Sequence, residues 1–367
     1  ADHHLCHAVS ALHFGPVPTG KTVVLTLDGA GDNCCSTVSI AEHGKLRRLA
    51  QTPNLYSLGI FYTLVTRALG MKAGEHEYKV MGLAPYADQE GVKRVLPKFQ
   101  ELLQNDGLQF DGPSSTRAVG HRLEASLRRE RFDWIAGAAQ EHCENLMREF
   151  ALNALAETDA VNLLVAGGVF MNVKANMLLK DLPGLQHFGV CPSAGDESTA
   201  IGAAYHGYQC LTGESPLPLS NVYLGPDLVP EEIEAAIRNF GLAGFCEINQ
   251  PENVDLETSR MLHNGQIVAR CRGRMEFGAR ALGNRSILAN PSNPDVVPII
   301  NHQIKQRDFW MPFAGTLLDE SQHRYIKNPT GLVSPHMMTA FETLPAAQAN
   351  LAAAIHPFDK TMRPQIL

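Results

Sequence analysis

The sequence predicts an α/β protein in two modules, and three observations carry that prediction. A strand followed by a glycine turn and a helix occurs twice between residues 161 and 209. Ahead of it, from Val23 to Gln51, apolar runs separated by turns read as an antiparallel series of strands. The length of 367 residues is a prior of about two domains at roughly 150 residues each. With 44% hydrophobic and 19% charged residues, the chain has the composition of a globular protein, which excludes disorder as its working state. Its net charge of −7 means that nucleic acid or an anionic membrane would need a local basic patch, so small molecules are the expected partners.

The elements follow in order. A helix-like run reaches about Leu12, and Thr22 to Leu27 is an apolar strand ending at Asp28-Gly29-Ala30-Gly31-Asp32. Ser36 to Ala41 is a second strand, closed by a Gly44-Lys45 turn, and Tyr56 to Leu69 has a helical period. Glu75 to Tyr86 mixes charged and apolar residues without a period and reads as a loop. Pro97 to Phe132 reads as polar and irregular, its run Arg128-Arg129-Glu130-Arg131 as a solvated face. Ile135, Ala139, Cys143, Leu146, Phe150 and Ala154 recur at steps of three or four, the mark of a long amphipathic helix. The strand Val161 to Ala166 breaks at Gly167-Gly168 and restarts as a helix through Asn172 and Asn176. A strand at His187 to Cys191 leads through Pro192-Ser193-Ala194-Gly195-Asp196 into a helix over 197–209. Residues 213–228 are rich in Pro, Ser and Gly and read as a linker, so the modules are 1–212 and 229–367. The second opens with a helix from Pro230 to Phe240 and has a strand at Gln266 to Cys271.

No stretch of about 18 apolar residues and no signal pattern occurs, which points to the cytoplasm. The eight cysteines include no C-x-x-C pair, so they are expected as reduced, mostly buried thiols rather than a zinc or redox centre.

Chemistry concentrates in five places. His3 and His7, four apart, share one helix face at the spacing of two imidazoles on one metal, although such a pair is also an ordinary polar helix. Asp28 and Asp196, each in a glycine turn after a strand, supply carboxylates, and mixed His/carboxylate sets suit iron, manganese or zinc. In Asp28-Gly29-Ala30-Gly31-Asp32 the glycines let backbone N–H groups approach an anion; alone, the segment is equally a tight hairpin turn. Gly167-Gly168 to Asn172 sits where a helix start faces phosphates, or where two helices pack. Three such turns together read as a nucleotide-plus-metal cleft. From Arg270 to Asp308, seven Arg and Lys face three Asp and Glu, a surplus of four in an acidic chain. Guanidinium forks bind phosphate oxygens bidentately, and the aromatic platforms that stacked bases need are sparse, so a polyphosphate or acyl phosphate is favoured over nucleic acid.

HHLCHA at 3–8, LDGAGD at 27–32, EYKVMGLAPY at 77–86, GGVFMN at 167–172, CPSAGDESTAIGAA at 191–204 and GRMEFGARALGNRS at 273–286, with Asn301, Lys305, Arg307 and the closing Thr361-Met-Arg363-Pro-Gln365, together resemble the NodU/CmcH/TobZ-type O-carbamoyltransferases. The resemblance implies an ASKHA module (the actin, sugar-kinase and chaperone ATPase type, RNase H-like) followed by a YrdC-like α/β module. It implies that carbamoyl phosphate and ATP give carbamoyl-adenylate and pyrophosphate, and that the carbamoyl group then passes to a hydroxyl of a sugar or natural-product acceptor. Carried over by position, His3, His7, Asp28 and Asp196 are the metal ligands, with Fe(II) in the site and Mg(II) on the nucleotide. Gly29, Gly31, Lys79, Gly167, Gly168, Asn172 and Gly195 fall to the nucleotide, and Arg274, Arg280, Arg285, Ser286, Lys305 and Arg307 to carbamoyl phosphate and ATP. His3, His7, Asp28, Lys305 and Arg307 are the catalytic set. His3, His4, His7 or a metal-bound hydroxide is the base for the acceptor, His4 being otherwise a supporting or surface residue. The partner implied is a small-molecule hydroxyl compound, without nucleic acid or membrane, and an oligomer is compatible with it.

The chain opens without Met inside a motif, and members of the family carry strands before the histidines and residues after the final Arg-Pro-Gln, so it reads as part of a longer protein. Three alternatives stand beside this reading: a tRNA threonylcarbamoyl-transfer enzyme, a hydrogenase-maturation carbamoyltransferase, which carries its modules in the opposite order, and a nucleotide-switched binding protein without chemistry.

Overall fold

The computed structural model describes residues 1–15, 18–42 and 45–367; Gly44 of the expected turn lies outside them. The first module is organised by strand β1 (Thr22–Gly31), in which Val23, Val24, Leu25 and Leu27 are almost fully buried. Burial on both faces is why it reads as a continuous apolar run. β2 (Cys34–Glu42) pairs with β1 and β3 (Lys45–Pro53) with β2, both antiparallel. The expected strands were right in place and short by a few residues.

Next come α2 (Leu58–Ala68), after α1 (His3–His13) at the chain's start, then α3 (Glu77–Leu83) and α4 (Gln89–Gln100). Two expectations are corrected here. Glu75 to Tyr86 is not a loop, because α3 buries Val80, Gly82 and Leu83. Pro97 to Phe132 is not irregular throughout, since it holds the end of α4, the hairpin of β4 (Gln104–Asp106) and β5 (Gln109–Asp111), and α5 (Gly120–Leu127). Both segments were missed because a helix of seven or eight residues shows scarcely two turns of period.

The 27-residue α6 (Phe132–Thr158) packs through its small residues, Ala136, Ala138, Ala139 and Ala151 among them, against α4, α3 and α7 (Val173–Leu179). β6 (Asn162–Ala166) and β7 (His187–Val190) complete the sheet, parallel to β1, and α8 (Thr199–Thr212) follows. The strand order is β3-β2-β1-β6-β7, and β2 alone runs against the rest. That is the RNase H-like arrangement expected of an ASKHA module. α1 lies along β1 and β6 with α8 packed on it, and Gly202 of α8 meets the Cys6 carbonyl so closely that a Cβ would overlap it.

Beyond residue 213 come α9 (Pro230–Asn239), α10 (Val254–His263) and the antiparallel pair β8 (Val268–Cys271) with β9 (Arg285–Leu288). Two-residue strands then pair Thr316–Leu317 with Gln365–Ile366 and Phe341–Glu342 with Thr361–Met362. Among the described residues no sheet here exceeds two strands, and the local core is Leu317, Ile326, Phe341, Leu351, Ile355, Met362 and Ile366. Five of the eight cysteines are buried, Cys210, Cys246 and Cys271 are exposed, and all eight are free. No helix of the described residues is long and apolar enough to cross a membrane.

Candidate metal centre and anion cluster

The N-terminal turn of α1 begins the site. Asp2 caps it by accepting from the Leu5 N–H at 2.8 Å, which starts the helix at His3 and sets His7 one turn on, along the same face. β1 delivers Asp28 just before its glycines, and the turn after β7 delivers Asp196. His7 is fully buried, His3 and Asp28 are mostly buried, and Asp196 is exposed.

The four groups converge. Asp28 Oδ2 lies 3.0 Å from both His3 Nε2 and His7 Nε2, which are 3.1 Å from each other. Asp196 Oδ1 is 3.5 Å from each imidazole, and one donor atom from each residue fits within 4.8 Å of all the others. Metal–ligand bonds of about 2.0–2.2 Å place neighbouring donors roughly 3 Å apart, so this set fits a divalent ion. Two imidazoles with two carboxylates leave positions open for substrate. Burial would raise the Asp28 carboxyl, but the bonds to His3 and His7 hold it well below the usual carboxylate range. Burial and then the charge of Asp28 push Asp196 up. Ser198 Oγ, 3.4 Å from His7 Nδ1, supports the far side of that ring.

His4 is neither a base candidate nor a surface residue. It is buried between Thr26 Oγ1 at 2.7 Å and the Cys34 carbonyl at 3.1 Å, and burial pushes its imidazole down to about 4, so it pins α1 to the sheet as a neutral ring.

The glycines serve the ligands. A Cβ on Gly31 would overlap the His3 ring. Gly31→Ala should therefore displace that imidazole and weaken metal binding about tenfold or more, with the melting temperature shifted by only a few degrees; metal titration followed by calorimetry reads both. Gly167, at φ +102°, sits where a Cβ would overlap the Leu27 carbonyl, and Gly168 faces Asp28 Oδ1. Gly29 donates its N–H to Asp28 Oδ1 at 2.7 Å. The Gly195 carbonyl accepts from Ser198 Oγ at 2.9 Å. Asn172 caps α7 by accepting from Ala175 N at 3.1 Å and exchanges hydrogen bonds with Gln140 at 2.9 and 3.0 Å.

In the second module Arg280 and Arg307 come together with Arg363, which the motif at 361–365 contains and to which sequence reasoning gave no role. Burial pushes the Arg280 guanidinium down to about 10. Burial, and then the charges of Arg280 and Arg307, lower that of Arg363 well below the usual range. Arg280 Nε and Arg307 Nη2 are buried without a hydrogen-bond partner among the described residues. A buried cation without an anion is costly, so this cluster suits a ligand that brings negative charge. Charge density along the sequence was the available signal, and the stretch around Arg363 has only Lys360 beside it, against Asp359.

The other cationic residues go elsewhere. Arg274 donates to the carbonyls of Gly225 and Leu224 at 3.0 and 3.1 Å, and Arg285 to those of Arg272 and Asn284 at 3.0 and 3.1 Å. Ser286 Oγ accepts from Gly283 N at 2.9 Å, Lys305 is exposed, and Lys79 Nζ pairs with Asp308 Oδ2 at 2.9 Å. Glu276 was passed over in the sequence. Its buried Oε1 accepts from the N–H groups of Leu282, Asn284 and Arg285 at 2.8, 2.8 and 3.1 Å, which shapes the arginine loop. The loop meets the first module where Gly278, at φ +102°, packs on Ser193.

Fold and site thus combine an RNase H-like module, bearing a His/Asp cluster that could hold a metal ion, with a region where arginines gather. Residues 1–205 match the Carbamoyltransferase N-terminus family and residues 259–367 the Carbamoyltransferase C-terminus family, and the chain belongs to this family of transferases. It is 31% identical over 369 residues to nodulation protein NolO of Bradyrhizobium diazoefficiens, covering 99% of this chain and 67% of that protein. It is 31% identical to nodulation protein NolNO of Sinorhizobium fredii, covering 99% of this chain and 54% of that one. The chain therefore spans between about half and two thirds of the length of these relatives. Among solved structures, HypF of T. kodakarensis aligns with a TM-score of 0.32 and 17% identity over 58% of this chain and 37% of that one, a likeness too slight to argue from.

Proposed function

We propose that the chain is the core of an ATP-dependent O-carbamoyltransferase. The arginine cluster takes carbamoyl phosphate and ATP. Water cleaves carbamoyl phosphate to carbamate and inorganic phosphate, and the carbamate oxygen attacks the α-phosphorus of ATP to give carbamoyl-adenylate and pyrophosphate. The first module passes the carbamoyl group to a hydroxyl of a small-molecule acceptor in the cytoplasm, with AMP as the leaving group. The observation that carries this reading is the group Arg280, Arg307 and Arg363, in which Arg280 Nε and Arg307 Nη2 are buried without a partner among the described residues. Guanidiniums fixed in place stabilise the charge that builds on phosphate oxygens without reorganising. His3, His7, Asp28 and Asp196 would hold the metal, for which we favour Fe(II), with Mg(II) on the nucleotide. When bound, such an ion polarises a carbonyl or phosphoryl oxygen for attack. The acceptor we favour is a hydroxyl of the sugar or natural-product kind.

Pyrophosphate release from ATP, measured with and without carbamoyl phosphate, tests the reading. Release that depends on carbamoyl phosphate is the expected result. Release that ignores it, or none, would favour a nucleotide-switched binding protein.

A further inference from the structure

We propose that Lys174 and Asp359 are positioning residues, an ion pair that ties the start of α7 to the strand carrying Arg363 and so sets where the third guanidinium of the anion cluster stands. The inference rests on the reading of Arg280, Arg307 and Arg363 as that cluster.

Lys174 lies in the first turn of α7, directly after the Gly167–Asn172 turn. Its Nζ reaches Asp359 Oδ2 at 2.5 Å and Thr361 Oγ1 at 3.3 Å, with both partners of the pair mostly buried. Asp359 is itself locked. Its Oδ1 accepts from the Thr361 N–H at 3.0 Å and from Thr361 Oγ1 at 2.8 Å, while the His356 N–H donates to the Thr361 carbonyl at 2.9 Å. Lys360, at φ +57°, closes this tight turn. The carboxylate is thus part of the turn from which Thr361–Met362 emerges as a strand, and Arg363 is the next residue.

Further contacts dock this part of the chain on the first module. Asn176 of α7 donates to the Phe170 carbonyl at 2.7 Å and to the Met338 carbonyl at 2.8 Å, and the Ala340 N–H donates to the Val173 carbonyl at 3.1 Å. His356 Nε2 lies 3.1 Å from the Gly82 carbonyl of α3. These contacts dock the segment by shape and neutral bonds. The Lys174–Asp359 pair is a charged link to the turn that leads into Arg363. A mostly buried pair stripped of one partner leaves an uncompensated charge, so its loss shifts the turn and the guanidinium with it. Neither residue belongs to the metal centre or to the anion cluster.

The test is the affinity of the intact protein for inorganic phosphate, measured by calorimetry with melting temperature read in parallel. Lys174→Met and Asp359→Asn are expected to weaken phosphate binding about tenfold while the protein stays folded. Lys174→Arg, which keeps the charge and reach, is expected to restore it to within about twofold of the parent. Arg363→Gln is the control for the cluster itself. Phosphate binding unchanged in Lys174→Met, where Arg363→Gln weakens it, overturns the inference and leaves the cluster standing. Weakening that Lys174→Arg does not repair also overturns it, because the damage is then general. No phosphate binding by the parent, or no effect of Arg363→Gln, removes the cluster reading and the inference with it.

Discussion

Arg280→Met should abolish carbamoyl-phosphate-dependent pyrophosphate release and, in phosphate-free buffer, raise the melting temperature. Activity and stability move in opposite directions because the guanidinium serves the ligand at the expense of the apoprotein. Its Nε is buried with no partner among the described residues, and burial already pushes the guanidinium down to about 10. Replacing an uncompensated buried charge by an apolar chain of similar length stabilises by roughly 1–4 kcal/mol, a shift of several degrees for a protein of this size. The same change removes charge-assisted hydrogen bonds to the bound anion, each about 1.5–3 kcal/mol, or about ten- to a hundredfold in affinity. Arg280→Lys should not restore activity, since an ammonium lacks the planar fork. A lower melting temperature together with normal pyrophosphate release would show that Arg280 is a structural residue.

His7→Ala should strip the metal and leave pyrophosphate release near the parent level. His7 Nε2 contacts Asp28 at 3.0 Å and His3 at 3.1 Å with its ring fully buried, so no solvent-exposed neighbour can take its place. Loss of a ligand from a four-residue set is expected to weaken divalent metal binding by roughly a hundredfold or more, measured by elemental analysis after gel filtration. Because the arginines stand on separate elements of the second module, adenylate formation should survive. If His7→Ala stops pyrophosphate release as well, the two modules do not divide the chemistry as proposed.

The convergence of His3, His7, Asp28 and Asp196 could be read from the chain because their residue types are distinctive and each stands beside a helix start or a strand end. His3 and His7 share a face by spacing alone, and the turns at Asp28 and Asp196 carry their own glycines. The arginine cluster was only partly legible. Local charge density pointed to the right loop, but it counted Arg274 and Arg285, which spend their guanidiniums on backbone carbonyls. It passed over Arg363, which reaches the cluster only through tertiary packing. The fold was clear where strands were long and buried. It was missed at α3 and α5, each of eight residues or fewer, and in Glu276, whose carboxylate acts on the backbone of its own loop.

Three of the four candidate metal ligands lie within residues 3–28 and the fourth is Asp196; Asp28 stands on β1 and Asp196 in the turn after β7, on either side of β6. As the polypeptide leaves the ribosome, the last carboxylate follows the two histidines and Asp28 only after α6 and β7 have been made. Capture of an ion by all four residues would thereby wait until β7 has been synthesised. A nascent chain stalled before β7 would offer a three-ligand site, weaker and more open to the wrong metal. In living cells the order of synthesis would then act as a filter on which ion is loaded.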